Sequence, residues 1–433
     1  MEIRVVRDYI LEYMKKSTPP LVERTLKIAV ADRIVTIYGP RRAGKTYYFY
    51  QLIKDKKEKS LYLNFEDTRL IDINFKELRE LIRTYRELKG EEPEYVFFDE
   101  IQNIPKWESA IREILDTRKY KIYVTGSSSK LLSKEIASSL RGRAFSYLLL
   151  PFSFSEYLRA TKIAVTLLSR DEEAELRSRL NEYLEYGGFP EVVLNEEKDR
   201  ILKEYYDLLL FRDVIERHNL RSVSLAKFLL SFFVQNFAKE ITINKIANFF
   251  HSQGKKFGKN TLYDYVDKLL DSVAIFFVPR YSGKIYVRSS WPKKIYLCDL
   301  GFARISKFSK DTGRLMENCV FLELLRKVTL KPLLEIYYYK NSRGKEVDFI
   351  VKEGQEVKEL IQVCFDIDQP DVRDRELRAL FSASRELGCE KLIVINWNYE
   401  GKEDFSAPGE KKEVIFIPLW KWLLRERNVQ QCN

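Results

Sequence analysis

The stretch that most constrains this chain is Arg33 to Thr46, RIVTIYGPRRAGKT. An apolar run, Ile34 to Tyr38, leads into a loop bounded by Gly39 and Gly44, and Lys45-Thr46 follows at once. The spacing fits G-x-x-x-x-G-K-[ST] at every specified position, and each residue type has a physical task. The glycines let the backbone curl until its N–H groups face phosphate oxygens. Lys45 places a positive charge on the β- and γ-phosphates, and the Thr46 hydroxyl can ligate Mg²⁺. A helix from Tyr47 to Ile53 would turn its N-terminal dipole toward the same anion. Gly39, Pro40, Arg41, Arg42, Ala43, Gly44, Lys45, Thr46 and Tyr47 are therefore the candidate contacts for ATP, with Mg²⁺ as the companion ion.

Such a loop works only between a strand and a helix, and the flanking sequence continues that rhythm. Leu61 to Phe65 reads as a second strand ending in Glu66-Asp67, and Phe75 to Leu88 carries apolar residues at helical spacing. Tyr95 to Phe98 is a third apolar strand, and Lys121 to Val124 a further one running into the turn Thr125-Gly-Ser-Ser-Ser129. Strands alternating with helices predict a parallel sheet covered on both faces. Ligands bind such sheets at the carboxyl ends of the strands, where Gly39, Asp99 and Thr125 would meet. Ahead of the loop, Tyr9, Ile10, Tyr13 and Met14 form the apolar stripe of an N-terminal helix, stopped by Pro19-Pro20.

Asp99-Glu100 supplies the second half of a phosphoryl-transfer site. An acid at the end of a buried strand can hold Mg²⁺ opposite Thr46, so Thr46 and Asp99 are the metal candidates. Glu100 is placed to polarise an attacking water. Thr125, with Ser127 as the alternative, can orient that water or sense the γ-phosphate. Arg141 and Arg143 flank Gly142, and Arg143 is taken as the cation that would reach a neighbouring subunit's γ-phosphate. A solvated basic loop is the competing interpretation.

The motifs GPRRAGKT, VFFDEIQNIPKWE, TGSSSKLL and LRGRAFSYLLLPFSFSEYL resemble an AAA+ type ATPase. More narrowly, the chain resembles archaeal and bacterial ATPases whose C-terminal half is a conserved domain of unknown function. YGGFPEVV (Tyr186 to Val193) and LLLFRDVIERHNLRS extend that resemblance over nearly the whole chain. It implies ATP hydrolysis and a homo-oligomer, a ring being usual in that family.

A net charge of +11 points to a polyanionic partner, nucleic acid before an anionic membrane. Five cysteines without C-x-x-C pairs speak against a zinc site or a disulfide framework. No apolar stretch reaches about 18 residues, and no signal peptide is visible, so a soluble cytoplasmic protein is expected.

Past Phe154 the pattern turns helical, broken at Gly187-Gly188-Phe-Pro190, as a helical lid would be. Leu225 to Phe237, a helix from Asn244, and one from Asn260 precede a strand pair, Ala274 to Val278 and Lys284 to Val287. Three helices and a wing make a winged-helix plan. Lys255, Lys256, Lys259, Arg280, Lys284 and Arg288 are its candidate DNA contacts, with Lys293 and Lys294 beside them. The acids Asp264, Asp267 and Asp271 on the third helix favour phosphate contact through the wing over groove insertion, and protein packing is the alternative use.

The last part is mixed α/β, and its order resembles the restriction-endonuclease-like fold. There the helix acid would be Glu317 and the strand acid Asp348, while the next motif falls on Gln362-Val363-Cys364 and lacks both its acid and its lysine. An amide and a thiol are poor Mg²⁺ ligands. Glu317, Asp348 and Gln362 are therefore read as a vestigial nuclease site, with Lys340 or Lys358 as possible stand-ins for the missing lysine. The expected class is α/β: a P-loop NTPase sheet (1–153), a helical lid (154–224), a winged helix (225–290) and a degenerate endonuclease-like domain (291–433). Two functions stay open, an ATP-driven motor or remodeller on DNA and a nucleotide-switched signalling ATPase, with an ATP-dependent nuclease as a further alternative should the C-terminal site be competent.

Overall fold

The computed structural model describes residues 3–29, 32–127, 140, 142–163, 169–254, 257–284, 292–305, 311–407 and 410–430. Two compact units divide the chain: residues 1–151 with 271–273, and residues 152–270 with 274–433.

The first unit is built on five short strands. α1 (Ile3–Lys15) buries Val6, Tyr9 and Ile10 and precedes β1 (Ile34–Tyr38), α2 (Lys45–Ile53) and β2 (Ser60–Asn64). α3 (Leu78–Lys89), β3 (Tyr95–Asp99), α4 (Trp107–Asp116), β4 (Lys121–Gly126) and β5 (Ala144–Leu148) follow. All neighbours pair in parallel, in the order β2-β3-β4-β1-β5. Every residue of β1 and β3 is buried, as expected of parallel strands with helices on both faces. β5 was not anticipated as a strand. It lies on β1 in register Ile34 with Ala144 to Tyr38 with Leu148, and the chain just beyond it meets the phosphate loop. Leu149 N donates to Tyr38 O at 2.8 Å, and a Cβ on Gly39 would stand 2.1 Å from Leu149 O. Only glycine fits at that crossing.

The second unit opens with α5 (Phe154–Ala160), whose start is a capping box. Glu156 N donates to Ser153 Oγ at 3.2 Å, and Ser153 N donates to Glu156 Oε2 at 2.9 Å. α6 (Arg170–Tyr186), α7 (Pro190–Leu194) and α8 (Lys198–Leu208) follow, the last running into a π-helical stretch, Leu209–Glu216. α9 (Val223–Gln235), β6 (Glu240–Ile241), α10 (Ile243–Ser252), α11 (Lys259–Asp271), β7 (Ile275–Pro279) and β8 (Lys293–Leu297) come next. β6, β8 and β7 form an antiparallel sheet in that order. The expected wing strand beyond Lys284 lies outside the described residues. The partner of β7 is β8, which carries nearly the same alternation, Lys294-Ile-Tyr-Leu against Lys284-Ile-Tyr-Val.

After α12 (Gly301–Ile305) and α13 (Thr312–Leu330), β9 (Leu334–Lys340), β10 (Glu346–Glu353) and β11 (Glu356–Val363) form an antiparallel meander. α14 (Pro370–Leu387) crosses to β12 (Leu392–Asn396), which runs parallel to β11. β13 (Gly401–Ala407), β14 (Glu410–Pro418) and α15 (Leu419–Gln430) complete the unit. Val347, Ile350, Leu360, Leu380, Val394 and Phe416 lie at the centre of this sheet's core.

Candidate functional site

The carboxyl ends of β1, β3 and β4 bring the expected nucleotide residues of the first unit together. Gly44 takes φ 92°, and α2 begins at the next residue, so the loop's curl and the helix start coincide. Lys45 is buried; its Nζ donates to Gly39 O at 3.3 Å and Pro40 O at 3.2 Å, and lies 3.5 Å from Glu100 Oε1. Thr46 Oγ1 donates to Asp99 Oδ2 at 2.7 Å. Thr125 Oγ1 donates to Asp99 Oδ1 and accepts from Glu100 N at 2.9 Å, bridging the two acids. Ser127 is buried on the same turn. Arg41 pairs with Glu66 at 2.9 Å, while Arg42, with φ 67°, and Tyr47 are exposed.

Electrostatics separates the two acids. Burial, and then the neighbouring Glu100, push the Asp99 carboxyl up, against hydroxyl donors that pull it down. Burial also pushes Glu100 up, but Lys45 and the Gln102 amide outweigh it and hold the carboxyl below its usual range. Glu100 is thus kept charged beside a lysine. It also adopts φ 52°, a backbone conformation that non-glycine residues seldom take.

Three contributors were not foreseen. Arg24 Nη1 donates to Ala43 O at 2.9 Å, and the same guanidinium reaches Leu150 O, bracing the phosphate loop from behind. Tyr62 OH donates to Asp99 Oδ2 at 2.7 Å, and Tyr13 of α1 stacks on Tyr62 with ring centroids 4.7 Å apart. Gln102 Nε2 donates to Glu100 Oε2. Nothing local marks Arg24 or Tyr62, whose partners are 19 and 37 residues away in sequence.

Arg143 does not join the other candidates at the loop of its own chain. Its carbonyl accepts from Ile34 N at the start of β1, so it stands at the opposite end of the sheet from the loop. Its exposed guanidinium pairs with Asp116. The sequence had suggested an arginine after the last core strand; β5 follows it instead.

Of the expected DNA contacts in the second unit, three fall on described residues. Lys259 and Lys284 are exposed, and Lys255, Lys256 and Arg288 lie outside the described residues. Arg280 is half-buried and donates to Lys340 O, next to a bridge between Arg280 and Tyr338 on β9. Lys294 is buried, against its expected place on the wing surface. Lys293 and Lys294 alternate sides on β8, and Lys294 shares its inward face with Tyr296.

That inward face meets the expected vestigial site. Lys294 Nζ lies 2.9 Å from Asp348 Oδ1, 3.0 Å from Glu317 Oε1 and 2.7 Å from Glu346 Oε1. Tyr296 OH donates to Glu317 Oε1 at 2.7 Å. Val363 N donates to Asp348 Oδ2 at 2.9 Å, and Asp348 N donates to Gln362 Oε1 at 3.4 Å. Glu317, Asp348 and Gln362 therefore do converge, on the wall of a cleft of about 580 Å³ that Arg314, Arg343, Lys345 and Arg375 also line. Burial, then Asp348, push the Glu317 carboxyl up to about 7. Burial pulls Lys294 down, but Asp348 and Glu317 outweigh it and hold the amine charged. The lysine is neither Lys340, which pairs with Glu240 and Glu346, nor Lys358, exposed beside Glu356.

Residues 31–158 match the AAA domain family, residues 177–311 a domain of unknown function (DUF8612) and residues 312–422 another (DUF4143). The chain is 38% identical over 422 residues to the uncharacterized protein MJ1544 of Methanocaldococcus jannaschii, spanning 96% of this chain and 93% of that one. An uncharacterized protein of Haemophilus influenzae is 28% identical over 414 residues, or 92% of this chain and 96% of its own. Among solved structures, the Walker-type ATPase PABY2304 of Pyrococcus abyssi is 15% identical with a TM-score of 0.39, over 70% of this chain and 94% of that one. The Aeropyrum pernix Orc1 protein, solved in complex with DNA, is 13% identical with a TM-score of 0.27, over 76% and 93%.

Proposed function

The chain belongs to the family of the uncharacterized protein MJ1544, and from that premise we propose that it binds ATP with Mg²⁺, hydrolyses it and uses the cycle on DNA. One observation carries the hydrolytic part: Lys45, Thr46, Asp99, Glu100 and Thr125 converge from three loops at one edge of a parallel sheet. Asp99 and Thr46 offer hard oxygen donors 2.7 Å apart, which suits Mg²⁺, and the ion would neutralise charge on the β- and γ-phosphates. Phosphate oxygens would draw Lys45 from Glu100. The carboxylate is then left charged and free to accept a proton from water, while Thr125 fixes its backbone.

The DNA part rests on the second unit. Three helices, with β6 between the first and second and β7 and β8 after the third, support a winged-helix reading, and the six-stranded sheet with α13 and α14 supports a degenerate endonuclease-like one. Lys259 and Lys284 remain exposed for phosphate, while the exposed Asp264 and Asp267 disfavour seating α11 in a groove. The test is ATP turnover by the full chain with and without duplex DNA across a salt series. Stimulation that falls with salt, with a binding slope of about −0.9 per phosphate contacted, is expected. Turnover indifferent to DNA at every salt concentration discards the DNA role in favour of a nucleotide-switched interaction protein.

Homo-oligomerisation belongs to the same proposal, with Arg143 offered to a neighbour because it cannot serve its own site. Mixing Arg143→Ala with Lys45→Ala protein should then restore part of the turnover that each lacks. No recovery on mixing, or a strict monomer by light scattering with ATP present, removes the shared site.

A further inference from the structure

The cleft of the second unit gathers three carboxylates from two elements: Glu317 from α13 and Glu346 and Asp348 from β10. Three acids so close repel one another unless a cation stands among them. A side chain already does. Lys294 reaches in from β8 with Nζ within 3.0 Å of an oxygen of each acid, and it is 2% exposed. The arrangement is held from several sides. Tyr296, two residues on along the same face of β8, donates to Glu317, and Val363 N fixes the far oxygen of Asp348. Asn318, next to Glu317, exchanges two hydrogen bonds with the backbone of Leu297, at 2.8 Å and 3.0 Å, tying α13 to β8. Lys340 Nζ, 3.1 Å from Glu346 Oε2, supplies a second positive charge. Among the described residues, no three His, Cys, Asp or Glu side chains are arranged to hold a metal ion.

We infer that the Lys294 ammonium is the resident cation of this cluster, and that the cleft excludes divalent metal for as long as Lys294 is present. An ammonium donates three hydrogen bonds and there are three acceptors, so its donors are all used and its charge offsets part of theirs without an ion. A divalent ion would have to displace an ammonium that already pairs with an oxygen of each acid. The consequence is chemical: the cleft takes up no Mg²⁺ or Mn²⁺, so it activates no water for metal-dependent phosphodiester cleavage. The inference does not depend on ATP hydrolysis in the first unit, and its test uses no nucleotide.

The test is Mn²⁺ binding to the nucleotide-free full chain, followed by electron paramagnetic resonance. The wild-type cleft should bind none. Lys294→Met should gain one bound Mn²⁺ per chain that wild type lacks, and the further change Asp348→Asn should abolish it. Mn²⁺ should also raise the unfolding temperature of Lys294→Met and leave that of wild type unchanged. Should Lys294→Met fail to fold even with Mn²⁺, the wild-type chain decides alone. With ¹⁵N-labelled lysine, the slowly exchanging Nζ signal that Lys294→Arg removes should stay sharp in millimolar Mn²⁺. Broadening of that signal, or wild-type Mn²⁺ binding that Asp348→Asn abolishes, overturns the inference and makes Lys294 the neighbour of a metal site.

Discussion

Glu100→Gln is expected to bind ATP nearly as well as wild type and to hydrolyse it about 10²–10⁴-fold more slowly, the usual contribution of a positioned general base. The amide preserves shape and keeps an acceptor for the Gln102 side chain, but it cannot take a proton from water. Lys45→Ala should behave differently. It removes the charge aimed at the β- and γ-phosphates, so affinity and turnover fall together. It also leaves Glu100 buried without its nearest cation, so its folding must be confirmed by circular dichroism before kinetics are read. Equilibrium binding of labelled ATP beside a phosphate-release assay separates the two variants. Undiminished release by Glu100→Gln would remove the residue from the role of base and leave Asp99, already committed to three hydroxyls, as the acid to reconsider.

The convergence of Lys45, Thr46, Asp99, Glu100 and Thr125 was legible because these residues lie in short contiguous motifs with fixed spacing. The strand–loop–helix context of Gly39 to Thr46 leaves little freedom, and Asp99-Glu100 ends a strand whose burial is written in Tyr-Val-Phe-Phe. What braces the site was not legible. Arg24 and Tyr62 act through single hydrogen bonds across the fold, and an arginine or tyrosine with a distant partner looks like any other. Arg143 is kept from the loop of its own chain for a topological reason. Ala144 to Leu148 pairs along β1 as a fifth strand that the sequence does not announce, and Arg143 precedes it, at the end of the sheet away from the loop.

In the second unit the helices were placed well by apolar periodicity, and the strand partners poorly. Lys284 to Val287 and Lys294 to Leu297 share one pattern, and pairing with β6 and β7 is a tertiary fact. That ambiguity hid Lys294. Two consecutive lysines beside a presumed wing look like phosphate contacts, yet on a strand one of the two must face inward. Glu317, Asp348 and Gln362 were brought together by fold-level resemblance, whereas the lysine among them came from an element that the resemblance did not include.

The segment Tyr186 to Val193 marked the family without explaining itself, and Asp299 explains it. Its buried carboxyl accepts from Gly188 N at 2.7 Å through Oδ2 and from Gly301 N at 2.8 Å through Oδ1. A Cβ on Gly187 would stand 1.8 Å from Asp299 Oδ1, and one on Gly188 would stand 2.2 Å from Phe152 O, so the glycine pair is the footprint of this contact. Asp299→Asn should therefore destabilise the second unit. An amide has one acceptor oxygen, so its NH₂ must face one of the two N–H donors, a loss of about 1–3 kcal/mol. The pH dependence has a definite sign. Burial pushes the Asp299 carboxyl up to about 7, against N–H donors that pull it down, so the folded state holds a proton that the unfolded chain releases near its ordinary value. Stability from this group is present at low pH and is lost as pH rises through about 4 to 7, a change on the order of 3–4 kcal/mol. Glu317, also pushed up to about 7, adds a change of the same sign to the wild-type curve, and the difference between wild type and variant isolates Asp299. Urea unfolding followed by circular dichroism at pH 5 and pH 8 should show Asp299→Asn most penalised at the lower pH, with the gap closing or reversing at the higher one. A gap that is constant, or that widens with pH, means that the buried carboxyl ionises as it would in water and that the glycine turn binds it as a stable anion.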